Sequence, residues 1–167
     1  NDTDPVIYVG LDFNVHPLCG VFCSFSESKI KIVKELYLED SNTFEAAKEI
    51  LRRYPYRTVT IVSDDSGNKR TTKSNTTDRE ILRRAGLNVV NFTNPLIKDR
   101  CNNINRLFDN MIIEIDPSCT KLIGDLERLT YDNNDPLLSH ISDALGYICW
   151  YLMPLKRLRR GAVVEYR

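Results

Sequence analysis

Short apolar segments, each bounded by turn-forming residues, recur along the first third of the chain. They predict three β-strands, at 6–13, 18–26 and 29–38, and the Ser-Glu-Ser turn at 26–28 predicts an antiparallel meander. After residue 38, short continuous apolar runs alternate with segments in which apolar residues recur every three or four positions. This pattern predicts helices at 43–54, 76–85, 97–110, 118–128 and 139–153, and strands at 58–63, 87–92 and 111–115.

The order of these elements predicts an α/β domain whose mixed sheet carries helices on its faces. Polar stretches at 64–74 and 133–136 are predicted to be loops. At 167 residues the chain has the length of one domain, which we expect to fill 1–167 with a linker at 1–5 and a basic tail at 154–167. The linker-like start at Asn1 suggests a domain excised from a longer chain.

Three aspartates lie at or near the ends of apolar segments. Asp12 ends the first strand, Asp64 follows the strand at 58–63, and Asp143 lies on the apolar helix at 139–153. Ligand sites of α/β proteins form at strand ends, so these carboxylates are candidates for one divalent-metal site. An Asp after a strand also serves as a turn former or helix N-cap, and this alternative stays open for each of them.

Asp143 fits the alternative less well, because it is predicted inside a helix, where Asp is a mediocre former. Helical spacing places it on roughly one face with His140, Tyr147 and Trp150. A carboxylate on such an aromatic, core-facing stripe needs a cation or hydrogen-bond donors.

Composition narrows the class of protein. The 23 basic and 23 acidic residues cancel, so no global field attracts nucleic acid and any such contact must come from local patches. No apolar stretch approaches the about 20 residues of a membrane span, and no signal segment is present, so we expect a cytosolic protein. The five cysteines lack Cys-x-x-Cys spacing, which argues against zinc, whereas the many oxygen ligands favour Mg²⁺ or Mn²⁺.

Local basic residues are candidates for phosphate contacts. Lys69, Arg70 and Lys73 lie in the loop that follows Asp64, and a second basic run occupies 156–160, where a solvated terminus is the simpler interpretation. Lys98 and Arg100 begin a predicted helix. They are candidates for facing substrate or, equally, for surface ion pairs with Asp99 and Glu114.

Five stretches, in this order along the chain, resemble the nuclease domain of the large terminase subunit of tailed bacteriophages. They are Val9–Asn14, Asp64–Gly67, Lys98–Leu107, Ile115–Glu127 and His140–Tyr147, and together they span nearly the whole chain. The family often has Gly-Asp-Pro-Ser-Gly where this chain has Ser63-Asp64-Asp65-Ser66-Gly67. The acid in place of the proline leaves open whether Asp65 shares in metal binding.

The resemblance implies a ribonuclease H-like fold and an endonuclease that cuts concatemeric double-stranded viral DNA during genome packaging, with little sequence specificity. It implies Asp12, Asp64 and Asp143 as catalytic ligands of two Mg²⁺ or Mn²⁺ ions, with His140 adjusting metal binding or the attacking water. It also implies an ATPase domain N-terminal in the same chain, a small terminase subunit and a portal as partners, and the host cytoplasm as location. The present chain lacks the Gly-x-x-x-x-Gly-Lys-[Ser/Thr] loop of such a motor, and we expect a monomer.

Three other functions remain open. A junction resolvase or hybrid-specific ribonuclease shares the fold but usually requires a fourth acid, for which Glu45 and Glu49 are available. A nucleotide-binding domain of the sugar-kinase and actin type also has an Asp after its first strand, but it needs a glycine near the phosphates, which the residues after Asp12 lack. A noncatalytic packaging-assembly module would tolerate loss of Asp12 or Asp64.

Overall fold

A computed structural model describes residues 6–14, 16–64, 76–91, 93–130 and 138–155. Within these ranges six strands form one sheet: β1 (Val6–Asp12), β2 (Leu18–Ser26), β3 (Lys29–Leu38), β4 (Thr58–Ser63), β5 (Asn88–Val89) and β6 (Ile113–Ile115). Five helices accompany it: α1 (Thr43–Arg53), α2 (Asp78–Arg84), α3 (Ile97–Asp109), α4 (Thr120–Arg128) and α5 (His140–Leu152).

The strand order in the sheet is β5-β4-β1-β2-β3-β6. Strands β1, β2 and β3 pair antiparallel, β4 and β5 continue the sheet parallel to β1, and β6 pairs parallel with β3. The predicted antiparallel meander and mixed α/β sheet are therefore confirmed. The parallel pairing of β4 with β1 matters most for function, because it places the ends of these two strands side by side.

Helices cover both faces of the sheet, and strand alternation assigns each side chain to one of two cores. On one face Ile7, Val9 and Leu11 of β1 pack with the buried residues of α1 and α2. On the other face Cys19, Val21 and Cys23 of β2 and Ile30 and Ile32 of β3 pack with the buried residues of α3, α4 and α5. All five cysteines are free thiols: Cys101 is half-buried, and the other four are buried, where they pack as small apolar residues.

Two predicted strands are shorter than expected by two residues or more. Strand 87–92 is reduced to Asn88–Val89 at the sheet edge, where the Val90 N–H makes the last bond, to the Ile61 carbonyl at 3.1 Å. The chain then turns through Asn94 and Pro95 into α3. Strand 111–115 begins only at Ile113, because Met111 takes a left-handed conformation (φ 53°) that ends the α3 turn.

Caps set the helix starts. Asn42 caps α1 by accepting from the N–H groups of Phe44 and Glu45, and a Thr77–Glu80 capping box starts α2 two residues later than predicted. No helix in the described part of the chain is long and apolar enough to cross a membrane. The predicted linker at 1–5, the loop residues 65–74, the loop at 133–136 and the basic run at 156–160 lie outside the described residues.

Candidate functional site

Asp12 and Asp64 leave two neighbouring strands at the same edge of the sheet. Leu11 pairs with Ser63 in the parallel ladder, so the next residue of each strand is one of the two aspartates. Neighbouring strands lie about 4.8 Å apart. Because Leu11 faces α1 and α2, alternation turns Asp12 toward the opposite face, where α5 lies. Only 9% of Asp12 and 8% of Asp64 are exposed.

Gly10 lets helix α5 lie directly against β1. A Cβ atom built on Gly10 would lie 2.1 Å from the carbonyl oxygen of Ala144, a distance that no real side chain tolerates. Ala144 follows Asp143, and Gly10 lies two residues before Asp12 on the same face of the strand. The absent side chain therefore brings the third aspartate to the edge where the first two end.

The first turn of α5 is held by a fourth acid, Asp125 of α4. Its Oδ2 accepts from the backbone N–H of Ser139 at 3.1 Å, and burial raises the pKa of Asp125. Ser139 is left-handed (φ 93°), a conformation that is strained for a side chain-bearing residue. Its carbonyl accepts from the Asp143 N–H at 2.6 Å. Asp125 thus fixes the turn that carries both His140 and Asp143.

His140 joins this turn to the end of β1. Its Nδ1 lies 2.9 Å from Oδ2 of Asp12, and its Nε2 lies 2.9 Å from Nδ2 of Asn14. Because the Asn14 amide can only donate through Nδ2, we assign the proton to Nδ1, which donates to Asp12, and leave Nε2 as the acceptor. His140 therefore orients the Asp12 carboxylate, and Asn14 orients His140.

Asp143 pairs with a buried arginine. Arg100 of α3 is 5% exposed, and its Nη2 donates to Oδ1 of Asp143. The guanidinium lies over the Tyr147 ring, 4.8 Å from its centroid. The cation that a carboxylate on this stripe was expected to need is thus supplied by the chain itself. Contact between Arg100 and DNA remains a prediction. It concerns a side chain that is buried in this structure.

The carboxylates influence one another electrostatically. Burial, together with the negative charges of Asp143 and Asp64, raises the pKa of Asp12 to about 6, although the hydrogen bond from His140 opposes the rise. Burial also raises the pKa of Asp143, and the Arg100 charge opposes that rise. A divalent cation would relieve this repulsion.

A second buried arginine holds the backbone beside Asp64. Arg79 of α2 is 2% exposed, and its Nη2 donates to the carbonyls of Ser63 at 3.0 Å and Asp64 at 2.9 Å. Its Nε also reaches Oγ of Ser63 at 3.3 Å. The side chain fixes the strand end from which Asp64 projects. Nothing in the charged sequence of α2 signals that this arginine is buried.

The helix-cap interpretation does not hold for Asp12, because α1, the next helix within the described residues, is capped by Asn42. The next described helix after Asp64, α2, is capped by Thr77. The α1 acids that a junction resolvase or hybrid-specific ribonuclease would use, Glu45 and Glu49, lie away from this site, because α1 packs on the opposite face of the sheet. There Glu49 binds Arg52 and Arg53, and Glu45 is exposed.

Four predicted residues, Asp65, Lys69, Arg70 and Lys73, lie outside the described residues. Within the described ranges, no three His, Cys, Asp or Glu side chains already meet around one point as a metal site. An open depression of about 900 Å³ lies between α1, the end of β3 and the start of α4, and none of the three aspartates lines it.

Comparison with solved structures identifies the fold. The mixed sheet with its flanking helices is a ribonuclease H-like fold, as predicted. No protein-family model and no curated protein matches the chain, but solved structures do. The large terminase of a thermophilic bacteriophage, in complex with ATP-γ-S, superposes with a TM-score of 0.72 at 14% identity, over 90% of this chain and 41% of that one.

Two isolated nuclease domains match over most of their own length. The P22 large terminase nuclease domain superposes with a TM-score of 0.69 at 11% identity, over 92% of this chain and 84% of that one. The large terminase nuclease domain of bacteriophage SPP1 with bound Mn gives 0.60 at 19% identity, over 87% and 85%. This chain therefore has the fold of terminase large-subunit nuclease domains, and it spans less than half of the large terminase from the thermophilic bacteriophage.

Proposed function

We propose that this chain is the nuclease domain of a viral terminase large subunit, a metal-dependent endonuclease that cuts concatemeric double-stranded DNA during genome packaging. One observation carries the proposal. Three carboxylates from β1, from the end of β4 and from α5 come within electrostatic reach of one another at one sheet edge. The fold likeness to terminase nuclease domains, one of them with bound Mn, supports the same function.

The residues present suit divalent cations. Asp12, Asp64 and Asp143 offer hard carboxylate oxygens, the donors that Mg²⁺ and Mn²⁺ prefer, and their mutual repulsion favours a cation between them. We assign the three aspartates as ligands of two such ions, with Asp65 as a further candidate. Cations bound there supply charge that stabilises the leaving 3′-oxygen and makes water a better nucleophile.

The surrounding residues position these ligands. His140 donates to Asp12 through Nδ1, so we assign it to orienting this carboxylate. Arg79 fixes the backbone of Asp64, and Asp125 fixes the turn that carries Asp143. Lys69, Arg70 and Lys73 are proposed to contact phosphates of the duplex, which gives position and salt dependence without sequence choice. We therefore expect cutting with little sequence specificity.

The rest of the machine is proposed by likeness. This chain spans 41% of the thermophilic bacteriophage's large terminase, which was solved with ATP-γ-S. We propose an ATPase domain N-terminal to this one in the same polypeptide, a small terminase subunit and a portal as partners, and action in the host cytoplasm. The domain is proposed to fill residues 1–167, with a linker at 1–5 and a basic tail at 154–167 included in that range.

A substrate panel tests the function against its alternatives. With Mn²⁺ present, we expect the protein to nick and linearise plasmid DNA at many positions and to show no preference for a four-way junction or an RNA–DNA hybrid. The Asp12→Asn variant, purified in parallel, controls for contaminating nuclease. Selective junction cutting would indicate a resolvase, and a need for the 2′-hydroxyl would indicate a hybrid-specific ribonuclease.

The same panel tests the noncatalytic alternative. A folded wild-type protein that cuts none of these substrates with Mn²⁺ or Mg²⁺ would favour an assembly module. Circular dichroism of each preparation establishes that it is folded before cleavage is compared.

A further inference from the structure

We infer that Arg100 is a resident counter-cation of the acidic site, which competes with divalent metal for Asp143 and thereby weakens metal binding. The inference rests on the proposed function, because it takes Asp143 as a metal ligand. It assigns to Arg100 an electrostatic role inside the site, distinct from a contact with DNA.

Its ion pair with Asp143 holds Arg100 in place. A buried guanidinium is costly unless a carboxylate pairs with it, and Asp143 is the carboxylate that Arg100 reaches from α3. The Asp143 side chain itself is 28% exposed. The arginine therefore approaches this carboxylate from the protein interior, while part of the carboxylate remains open to solvent.

Two residues of α5 accommodate the Arg100 side chain, one by leaving space and one by contacting the guanidinium. A Cβ atom on Gly146 would lie 2.5 Å from Cδ of Arg100 and 2.6 Å from its Cγ, so only glycine leaves space for the aliphatic stem. Tyr147 offers its ring to the guanidinium at 4.8 Å. The helix that carries Asp143 thus also carries the slot that delivers a positive charge to it.

The charge acts on the site as a whole. Asp12, Asp64 and Asp143 form a negative cluster, and Arg100 neutralises one of its three charges. A metal ion that approaches Asp143 finds one carboxylate oxygen already bound to the guanidinium. The positive charge of the guanidinium also repels the metal ion. Arg100 therefore opposes the same cation that the three carboxylates attract.

Direct measurement of Mn²⁺ binding tests the inference without relying on cleavage. Electron paramagnetic resonance of unbound Mn²⁺ gives the dissociation constant for the wild type and for each variant. In Arg100→Met, which keeps the length of the side chain and removes the charge, we expect Mn²⁺ to bind about tenfold tighter or more, because a nearby positive charge is lost. In Arg100→Lys the charge remains, so binding should stay close to that of the wild type.

Two further variants control this result. Arg84→Met makes the same chemical change at an exposed position of α2 and should leave Mn²⁺ binding unaltered. Gly146→Ala keeps the charge but places a Cβ atom against the Arg100 stem, so the guanidinium should move from Asp143 and Mn²⁺ binding should tighten. This second route tests the inference even if Arg100→Met does not fold.

The outcomes separate the inference from the proposed function. If the wild type binds Mn²⁺ and neither Arg100→Met nor Gly146→Ala binds it more tightly, the inference alone is overturned. Weaker Mn²⁺ binding in Arg100→Met also overturns the inference alone, because Arg100 would then be a residue that positions Asp143. A wild-type protein that binds no Mn²⁺ overturns the proposed metal-dependent function and the inference with it.

Discussion

At the scale of single residues, the ionisation of Asp12 is strongly perturbed by its surroundings. Burial and the charges of two neighbouring carboxylates raise its pKa from 3.8 to about 6. A raised pKa means that the folded protein binds a proton more tightly than the unfolded chain does. Without metal, ionising Asp12 therefore lowers the free energy of unfolding.

The pH dependence of stability follows from this shift. In the presence of a chelator, the contribution of Asp12 is fully present below about pH 4 and is lost as the pH rises through about 6. A rise of this pKa to about 6 corresponds to a loss on the order of 3 kcal/mol in the free energy of unfolding. In Asp12→Asn this loss should vanish, so the metal-free variant should be more stable than the wild type at pH 8.

Urea unfolding between pH 4 and pH 8 measures the effect, with Asp109→Asn as the control for the same change at an exposed position. If Asp12→Asn and wild type lose stability in parallel over this range, the electrostatic description of the site is wrong.

Residue patterns in the sequence point to the ligands but not to their partners. Asp12 and Asp64 stand out because each ends an apolar run, and Asp143 because it lies on an apolar helix. Asn14 and Arg79 carry no such signal. The contact of Asn14 with His140 joins residues 126 positions apart, and a single sequence does not show which distant residues meet.

At the scale of elements, the packing of α5 on β1 decides whether the site exists. Gly10 allows the close approach, because any side chain there would collide with the Ala144 carbonyl. A substitution at Gly10 must push the helix away from the strand, and the helix carries Asp143 with it.

Gly10→Ala tests this contact. We expect a loss of about 1–3 kcal/mol in the free energy of unfolding, as for other overpacked core positions, together with weaker Mn²⁺ binding. Gly124→Ala is the matched control, because its Cβ atom meets nothing closer than 3.9 Å and alanine favours a helix interior. Urea unfolding and Mn²⁺ titration measure both effects. Equal stability of Gly10→Ala and wild type would contradict the close packing of α5 on β1.

Element boundaries were predictable where local pattern decides them. Strands 18–26, 29–38 and 58–63 match the structure to the residue, because each is an apolar or alternating run bounded by turns. Strand 87–92 does not, since only two of its residues pair with β4 at the sheet edge. The lengths of edge strands depend on tertiary pairing, which the local pattern does not contain.

At the scale of the whole molecule, the site joins residues that lie far apart in the chain. Asp12 ends β1 near the start of the chain, Asp64 directly follows β4, and Asp143 lies on α5 near the end of the chain. The unfolded chain does not hold these groups together, so a cation that binds all three binds the folded state preferentially. The net charge of zero gives no comparable global contribution.

Metal should therefore raise the melting temperature. At a Mn²⁺ concentration about 100 times the dissociation constant, the free energy of unfolding should rise by about 2.7 kcal/mol. For a domain of this size that corresponds to a rise of roughly 5–10 °C. Differential scanning calorimetry with Mn²⁺ and with chelator measures the rise. An equal rise in Asp64→Asn and Asp143→Asn would contradict the assignment, because both variants lose a ligand.

Plasmid cleavage by the purified protein tests the central claim most directly, in parallel reactions with Mn²⁺, Mg²⁺, Ca²⁺ or chelator. Wild type is compared with Asp12→Asn, Asp64→Asn and Asp143→Asn at matched concentration, after each is shown to be folded. We predict nicking and linearisation with Mn²⁺ or Mg²⁺, none with chelator, and a loss of activity in all three variants. Cleavage that persists with chelator, or in any one of these variants at the wild-type rate, would contradict a nuclease built on these three aspartates.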